Sequence, residues 1–187
     1  MEALARLDGD ILLYIQDYIR NPVLDPVMKV ITTLGNAGIV WILLTIALLV
    51  PEKTRKIGMM SACALVASLL VNNILLKNLV ARVRPYYAVE GLVAIVKKPM
   101  EFSFPSGHAG SSLACAGVLY RKLPRKQGAW ILLLAVLISL SRLYVGVHYP
   151  TDVLAGAITG IGCSFVGEWV VMAIGSKMEK GAVTPNE

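Results

Sequence analysis

The sequence predicts an all-α fold: a polytopic membrane bundle of five to six transmembrane helices with an N-terminal amphipathic helix. Of its 187 residues, 56% are hydrophobic and only 16% are charged. The mean hydropathy of +0.67 exceeds what a water-soluble domain of this size needs for its core. Long runs of Leu, Ile, Val, Ala and Gly alternate with short basic segments, which is typical of multi-pass membrane proteins.

The first element is an amphipathic helix at residues 1–22. Its apolar side chains share one helical face and its acidic side chains lie opposite, so we expect it to lie in the membrane interface. No secretory signal peptide is expected, because acidic residues interrupt the first twenty positions where an apolar stretch is required. A membrane-embedded domain is predicted over 23–176, followed by a polar cytoplasmic tail at 177–187.

Five apolar runs form the membrane-embedded domain. The run 27–50 contains the sequence "LGNAG", so it is either one broken span or a short interfacial helix followed by a span. The others are 57–76, 106–120, 129–147 and 153–174. At about 1.5 Å per residue, the run 106–120 reaches only about 22 Å, less than the ~30 Å hydrocarbon core. Its first turn is therefore predicted to lie below the membrane surface.

The positions of the basic residues predict the orientation. The segments "PEKTRK" and "RKLPRKQ" and the tail carry nine of the eighteen Lys and Arg residues, all on one side when the loops alternate. We expect this side to be cytoplasmic, at the inner (plasma) membrane. The amino terminus and the segments 77–105 and 147–151 then lie on the extracytoplasmic side. Because topology explains the net charge of +6, and no aromatic residues interleave the basic ones, no nucleic-acid partner is expected.

Three polar clusters are not explained by topology. In the first, "KNLVARVRP", Lys77 and Arg84 are two helical turns apart and project from the same face before Pro85 ends the helix. Taken by itself, such a pair is commonly a basic edge whose charged groups reach the membrane surface.

The second cluster is "FPSGH". Ser106 is a good N-cap, Gly107 allows close approach of a ligand to the backbone, and the free N–H groups of a first helical turn favour an anion. His108 would then stand beside the bound anion. The simpler interpretation of this cluster by itself is a histidine that caps a helix at the interface.

The third cluster is "SRLYVGVHYPTD". Asp152 follows His148 by four residues, within reach of the imidazole if the chain turns at this point. A carboxylate partner fixes the imidazole tautomer and leaves the other ring nitrogen free to act as a nucleophile or base. Arg142 adds a cation, although a surface turn with an incidental ion pair would give the same pattern.

The three clusters together predict a site for a phosphate monoester or pyrophosphate. All fall on the predicted outer side, and they contain both histidines of the chain. Arginine binds phosphate oxygens in a bidentate manner, and lysine supplies a point charge. No cofactor or metal is expected, because one acid and two histidines are too few ligands for a magnesium or zinc site. The three cysteines lie in apolar runs without metal-ligand spacing.

These clusters resemble the three signature motifs of the type 2 phosphatidic acid phosphatase family of membrane lipid phosphatases. The motifs are Lys, six residues, Arg-Pro; Pro-Ser-Gly-His; and Ser-Arg, five residues, His, three residues, Asp. The resemblance implies that His148 attacks phosphorus to form a phosphohistidine, with Asp152 orienting it. It also implies that His108 protonates the leaving group and then activates water. The residues implied to hold the phosphoryl oxygens are Lys77, Arg84, Ser106, Gly107 and Arg142.

The substrate implied by the resemblance is a membrane lipid phosphate. A polyprenyl pyrophosphate such as the undecaprenyl carrier is favoured, with phosphatidylglycerol phosphate and phosphatidic acid as alternatives. Lys97 and Lys98 could meet a second phosphate, although a solvated loop is the simpler interpretation. The alternative of another class is a non-catalytic binder or transporter of anionic lipids. Transport would require a continuous polar path through the spans, and their inner halves contain almost no polar groups, with Glu168 as the main exception. A vanadate-dependent oxidase fits the membrane composition poorly, and the oligomeric state is left open.

Overall fold

The computed structural model describes residues 2–182, with side chains over 3–177. This part of the chain contains helices and connections but no strands. The α-helices are α1 (Glu2–Tyr14), α2 (Leu24–Leu34), α3 (Ile39–Leu49), α4 (Glu52–Ser68), α5 (Lys77–Val80), α6 (Pro85–Ala88), α7 (Gly107–Lys122), α8 (Arg125–Tyr144) and α9 (Pro150–Ala182). π-helical turns follow α1 at Ile15–Ile19 and α4 at Leu69–Leu76, and a 3₁₀ turn at Asn36–Gly38 joins α2 to α3.

Three helical stretches are long and apolar enough to cross a membrane. They are Glu52–Ala88, Arg125–Tyr144 and Pro150–Lys177. The pair α2 and α3 passes the same criterion when taken together, with a bend of 46° between the two helices. The sequence "LGNAG" therefore marks a break between two helices, and the described chain has three or four candidate spans. The expected total of five to six stays a prediction.

Helix α7 is the centre of the bundle and is short for a membrane span. Its 16 residues extend about 24 Å, and it contacts α3, α4, α8 and α9. Most of its side chains are small and buried, from Ala109 to Leu119. Because α7 is enclosed by other helices, it faces little lipid, and its length is not set by the bilayer thickness.

Close packing of α9 against the first half of α7 depends on glycine. A Cβ at Gly156 would meet the carbonyl oxygen of Ser106, and a Cβ at Gly160 would meet that of Gly110. Small residues at such a contact let two helix backbones approach closely inside a membrane. The packing places the first turn of α9, which contains Asp152, beside the first turn of α7, which contains His108.

Helix α1 packs on the same end of the bundle. Leu12 is fully buried with Leu92 and Tyr149, whereas Leu4 and Leu7 are more than half exposed. The acidic face of α1 was expected to face water, but Asp8 is buried in the protein, and its side chain is only 3% exposed. The expectation fails for this residue because Asp8 has an arginine partner, Arg82, in the connection that follows α5.

The opposite end of the bundle contains a separate ionic cluster. Glu168 of α9 pairs with Arg121 at 2.5 Å and with Lys122 at 2.8 Å. This cluster accounts for Glu168, the main polar group expected in the inner halves of the spans. Of the polar tail expected at 177–187, residues 183–187 lie outside the described residues, and α9 continues to Ala182.

The connection between α6 and α7 folds back over the end of the bundle that carries the histidines. The Ser103 N–H donates to the carbonyl oxygen of Arg82 at 2.8 Å, and the Ile95 N–H donates to that of Val145 at 3.2 Å. The Tyr86 hydroxyl donates to the carbonyl oxygen of Pro99 at 2.5 Å. These bonds hold the connection as one wall of a cavity.

Candidate active site

A cavity of about 1130 Å³ opens at this end of the bundle. The residues of the three sequence clusters that line it are Lys77, Arg84, Gly107, His108, Arg142 and His148. They come from segments up to 71 positions apart in the chain, and the packing of α7 with α8 and α9 brings them together. Two of the predicted site residues, Ser106 and Asp152, lie behind this lining.

His148 lies in the tight turn between α8 and α9 and is almost completely buried. Its Nε2 is 3.0 Å from Nη1 of Arg84. A guanidinium only donates hydrogen bonds, so Nε2 must accept, and the neutral ring carries its proton on Nδ1. Nδ1 faces Oδ2 of Asp152 at 3.4 Å. The surroundings thus favour the tautomer in which the lone pair is on Nε2, where it accepts from Arg84 in the cavity lining.

Burial also keeps the His148 ring neutral. Removal from water lowers the pKa of His148 to about 3, against the opposing effect of the Asp152 carboxylate, and the positive charges of Arg84 and Arg142 lower it further. A neutral imidazole at physiological pH is the form that can act as a nucleophile.

Asp152 is completely buried in the first turn of α9 and is held on both oxygens. Oδ2 accepts from the Ser103 hydroxyl and from the Tyr149 N–H at 2.9 Å, and Oδ1 accepts from Arg82 at 2.8 Å. The carboxylate therefore acts on the cavity only through His148. Arg82 and Ser103 were not singled out from the sequence, because neither stands at a diagnostic spacing from Asp152.

His108 stands in the first turn of α7, and Ser106 caps that helix. The Ser106 Oγ accepts from the Ala109 N–H at 3.4 Å, and the Ser106 N–H donates to the carbonyl oxygen of Asp152 at 3.0 Å. The N-cap expected from the sequence is therefore present. Ser106 is fully buried, however, so its side chain positions the helix, whereas Gly107 and His108 reach the cavity.

The break between α2 and α3 contributes a residue that sequence reasoning missed. Asn36 Oδ1 lies 3.1 Å from His108 Nε2. Gly35 allows this approach, since a Cβ there would come within 2.5 Å of the His108 ring carbon Cδ2. The break was visible as "LGNAG", but nothing in the sequence connects it with His108.

The cationic side chains around the cavity have different hydrogen-bond partners. Lys77 pairs with the Glu101 carboxylate at 2.6 Å, and Arg84 donates to the backbone carbonyl of the same residue at 2.8 Å. Arg142 donates to the Thr32 hydroxyl at 2.5 Å, and its buried Nε has no hydrogen-bond partner among the described residues. A buried guanidinium nitrogen without a partner is costly. Other atoms of the Arg142 side chain reach the cavity, so its charge is available to an anionic ligand there.

Glu101 is the acidic residue in the cavity lining of the described chain. The hydrogen bond and charge of Lys77 lower the pKa of Glu101, so it remains a carboxylate near neutral pH. Its side chain is 70% exposed. An exposed carboxylate on Lys77 occupies a place that a phosphate oxygen would otherwise take.

The π-helical turn at Leu69–Leu76 arranges two amides in different directions. Asn72 is buried and bonds to Ser68 at 3.0 Å and to Thr159 of α9 at 2.6 Å. Asn73 lines the cavity, as does Lys77 four residues later. Single π-turns frequently occur at functional sites because they re-aim side chains without ending the helix.

The side wall of the cavity is apolar. It includes Ile42 of α3, Val66 of α4 and Leu69, each about half exposed on the outer surface of the bundle. The polar base is thus continuous with apolar side chains on the outer surface of the bundle.

Of the two further lysines considered from the sequence, Lys97 lines the cavity, whereas Lys98 lies over Tyr86, 5.3 Å from the ring centroid. Within residues 3–177, no group of three or more His, Cys, Asp or Glu side chains is placed to hold a metal ion.

Fold and site together define a class: an all-helical, multi-pass membrane protein with a cationic cavity and a buried histidine–aspartate pair at its base. The family model of the PAP2 superfamily matches residues 58–175, and the chain belongs to that superfamily. The resemblance inferred from the three motifs is thereby confirmed.

Several characterised proteins are similar to the chain. An undecaprenyl-diphosphatase of Sulfolobus acidocaldarius is 38% identical over 68% of the chain, and the match spans 61% of that relative's length. Phosphatidylglycerophosphatase B of Bacillus subtilis is 34% identical over 76% of the chain and 73% of its own length. The crystal structure of Aquifex aeolicus LpxE superposes with a TM-score of 0.75 at 29% identity, covering 84% of this chain and 92% of that one.

Proposed function

We propose that the protein is an integral membrane lipid phosphatase that works through a phosphohistidine intermediate. The observation that carries the proposal is the setting of His148, whose Nε2 accepts from Arg84 in the lining of a cationic cavity while Nδ1 faces Asp152. The proposal is supported by membership of the PAP2 superfamily and by the names of the similar proteins, two of which are phosphatases of lipid phosphates.

In the first step, Nε2 of His148 attacks the phosphorus of the substrate in line with the leaving oxygen. A bond forms between nitrogen and phosphorus, and the bond between phosphorus and the leaving oxygen breaks. His108 donates a proton to that oxygen as it leaves. The ring of His148 becomes cationic, and the Asp152 carboxylate stabilises it through Nδ1–H.

In the second step, water attacks the phosphohistidine. His108, now deprotonated, accepts a proton from the water, and the nitrogen–phosphorus bond breaks to release inorganic phosphate. The neutral His148 is restored. His108 thus acts as an acid in the first step and as a base in the second, so its ring must reach both the leaving oxygen and the attacking water.

The phosphoryl oxygens are proposed to bind Lys77, Arg84 and Arg142, with the backbone at Gly107. Arg84 touches both the nucleophile and the Glu101 carbonyl. On substrate binding, Nη1 of Arg84 donates to a phosphoryl oxygen instead of Nε2, which frees the Nε2 lone pair for attack on phosphorus. Fixed charges aimed at a phosphoryl group in a partly dry cavity usually supply the largest share of catalysis in phosphoryl transfer. Ser106 contributes by capping α7 rather than by direct contact.

The apolar side wall favours a lipid as the substrate. A head group at the polar base would leave its chain along Ile42, Val66 and Leu69, which continue to the outer surface of the bundle. Among lipid phosphates we favour a polyprenyl pyrophosphate, supported by the undecaprenyl-diphosphatase relative and by Lys97 in the lining. Phosphatidylglycerol phosphate is the alternative, supported by the Bacillus subtilis relative.

Catalysis is proposed to need no metal. The carboxylate nearest to the nucleophile, Asp152, has both oxygens engaged by protein donors, and Glu101 is paired with Lys77. Three cations already supply the positive charge that a metal would bring to the phosphoryl group.

The test is phosphate release by the protein in detergent from undecaprenyl pyrophosphate, phosphatidylglycerol phosphate and phosphatidic acid, with a chelator present. Release should occur with the chelator and should be lost in His148→Ala, because that variant has no nucleophile. Full activity of His148→Ala, or strict dependence on an added divalent ion, would refute the mechanism. The relative rates on the three lipids decide among the substrates.

The predicted orientation has a separate test. Single cysteines at Glu90 and Leu123, placed in a chain without its native cysteines, lie at opposite ends of the bundle. A membrane-impermeant thiol reagent should label position 90 in intact cells and should not label position 123. The reverse pattern would place the cavity on the cytoplasmic side.

A further inference from the structure

The N-terminal helix contacts the site through Asp8. Its carboxylate accepts from Arg82 at 2.7 Å, from the Thr151 N–H at 3.2 Å and from the Thr151 hydroxyl. A carboxylate is rarely buried without charged or hydrogen-bonding partners. Anchoring α1 in a membrane interface does not require this arrangement, since its exposed apolar residues already serve that purpose.

Arg82 joins Asp8 to the carboxylate behind His148. Its Nη1 donates to Oδ1 of Asp152 at 2.8 Å, and its Nη2 donates to Oδ2 of Asp8 at 2.7 Å. The guanidinium carbon lies 3.7 Å from the centroid of the Tyr149 ring. A planar guanidinium held at two edges and on one face has little freedom to turn.

The net charge of the group formed by Asp8, Arg82 and Asp152 depends on Asp8. Paired with Asp152 as its sole carboxylate, Arg82 would neutralise the charge that faces His148. With Asp8 present, one cation is shared by two carboxylates, so a net negative charge remains beside the ring. When the His148 ring becomes cationic on phosphorylation, its positive charge balances this negative charge, so the ring, Arg82 and the two carboxylates together are neutral.

We infer that Asp8 is a positioning residue for the reaction proposed above: through Arg82 it holds Asp152 in place and preserves its negative charge toward His148. This inference rests on the proposed function. It gives α1 a part in the site, acting on the nucleophile through two intervening residues, Arg82 and Asp152.

The test compares two anions that use the cavity differently. Orthovanadate becomes five-coordinate by bonding a nucleophile and so resembles the transition state, whereas inorganic phosphate binds the cations without bonding His148. Asp8→Asn should weaken orthovanadate binding about tenfold, the usual size of a lost charge-assisted bond, with phosphate binding changed less than twofold. Asp10→Asn makes the same change at an exposed position of the same helix and should alter neither. Titration calorimetry in detergent, below the unfolding temperature of each variant, gives both constants.

A double variant separates this role from support of folding. Once Arg82→Gln is made, adding Asp8→Asn should have little further effect on orthovanadate binding, because the connection is already broken. Asp8→Glu retains the charge and should keep the wild-type ratio of the two affinities.

Equal weakening of both anions, additive effects in the double variant, or no effect of Asp8→Asn would overturn the inference. Phosphate release by the unsubstituted protein tests the proposed function independently. Absence of release would count against that function, whereas the ratio of orthovanadate to phosphate affinity still decides the role of Asp8.

Discussion

The two histidines of the cavity are held by different kinds of partner. His148 is buried in a tight turn, and its two ring nitrogens face the charged groups of Arg84 and Asp152. His108 is partly exposed in the first turn of α7, and its Nε2 faces the neutral amide of Asn36. One ring is thus fixed by charges, and the other is oriented by an uncharged group.

The difference matches the chemistry proposed for each ring. A nucleophile needs one tautomer and a nearby negative charge for the cation that it becomes. An acid–base group must gain and lose a proton within one turnover, so an uncharged hydrogen-bond partner suits it. Burial and the positive charges of Arg142 and Arg84 lower the pKa of His108, and a phosphate bound between these cations would act in the opposite direction. The Asn36 amide oxygen accepts from the Nε2–H of His108 and so orients the ring. Because the amide is uncharged, the ring can do this in its neutral or its cationic form.

The largest effect that would sharpen this contrast is expected from His108→Ala. Phosphate release from a lipid substrate should fall about 10²–10⁴-fold, because an alkoxide leaves poorly without a proton. With an aryl phosphate, whose leaving group needs no proton, the first step should be much less impaired and the phosphohistidine should accumulate. Rapid-quench measurement of protein-bound phosphate checks this. An equal loss on both substrates without accumulation would contradict the assigned role.

Stability as a function of pH tests the charged surroundings of His148. The pKa of His148 is about 3 in the folded protein and near its ordinary value of 6.5 when unfolded. Between these values the unfolded chain binds more protons, so the free energy of unfolding should decrease as the pH falls from 6.5, by up to about 1.4 kcal/mol per pH unit. Thermal unfolding in detergent should show a weaker decrease in His148→Asn than in the unsubstituted protein. Identical pH profiles would show that the ring is not held neutral.

A smaller loss is expected from Asn36→Ala. Without the amide, the His108 ring loses one orienting bond, which corresponds to a decrease in kcat of about tenfold or less. Asn78→Ala is the matched control, since Asn78 is exposed and, within the described part of the chain, its side chain bonds only to the Ile74 carbonyl. Should Asn36→Ala retain full kcat on the lipid substrate, the amide would have no part in orienting His108.

The smallest effect is a gain expected from Glu101→Gln. Loss of this carboxylate frees Lys77 for a phosphate oxygen, so inorganic phosphate should bind a few-fold more tightly; the gain is limited because the pair is exposed to solvent. Glu90→Gln removes the same charge elsewhere in the connection between α6 and α7 and should leave binding unchanged. Weaker phosphate binding in Glu101→Gln would mean that Glu101 orders the site.

The sequence predicted the residues that face the cavity better than those that support them. Lys77, His108 and His148 belong to short motifs whose spacing reflects local helices and turns, so each could be recognised within its own segment. Asn36, Asp8 and Arg82 make their contacts between segments distant in sequence. Such contacts depend on packing angles and on helix breaks that no short spacing encodes.

Helix α1 is a second case in which the sequence did not reveal a contact inside the protein. Its pattern of apolar and acidic residues was interpreted as a division between membrane and water. Asp8 instead faces an arginine inside the protein, and a pattern of polarity cannot distinguish water from a buried cation as the partner. The length of α7 was noticed in the sequence, whereas its central position, which explains that length, required the structure.

The apolar side wall of the cavity has a consequence for the kinetics of the proposed reaction. A lipid substrate that binds as proposed, with its chain along Ile42 and Val66, would reach the base of the cavity by diffusing within the leaflet and would not have to leave the membrane. The encounter rate is then set by the number of substrate molecules per unit area of bilayer. Diluting the lipid with inert detergent should therefore slow the enzyme even when the bulk substrate concentration is kept constant.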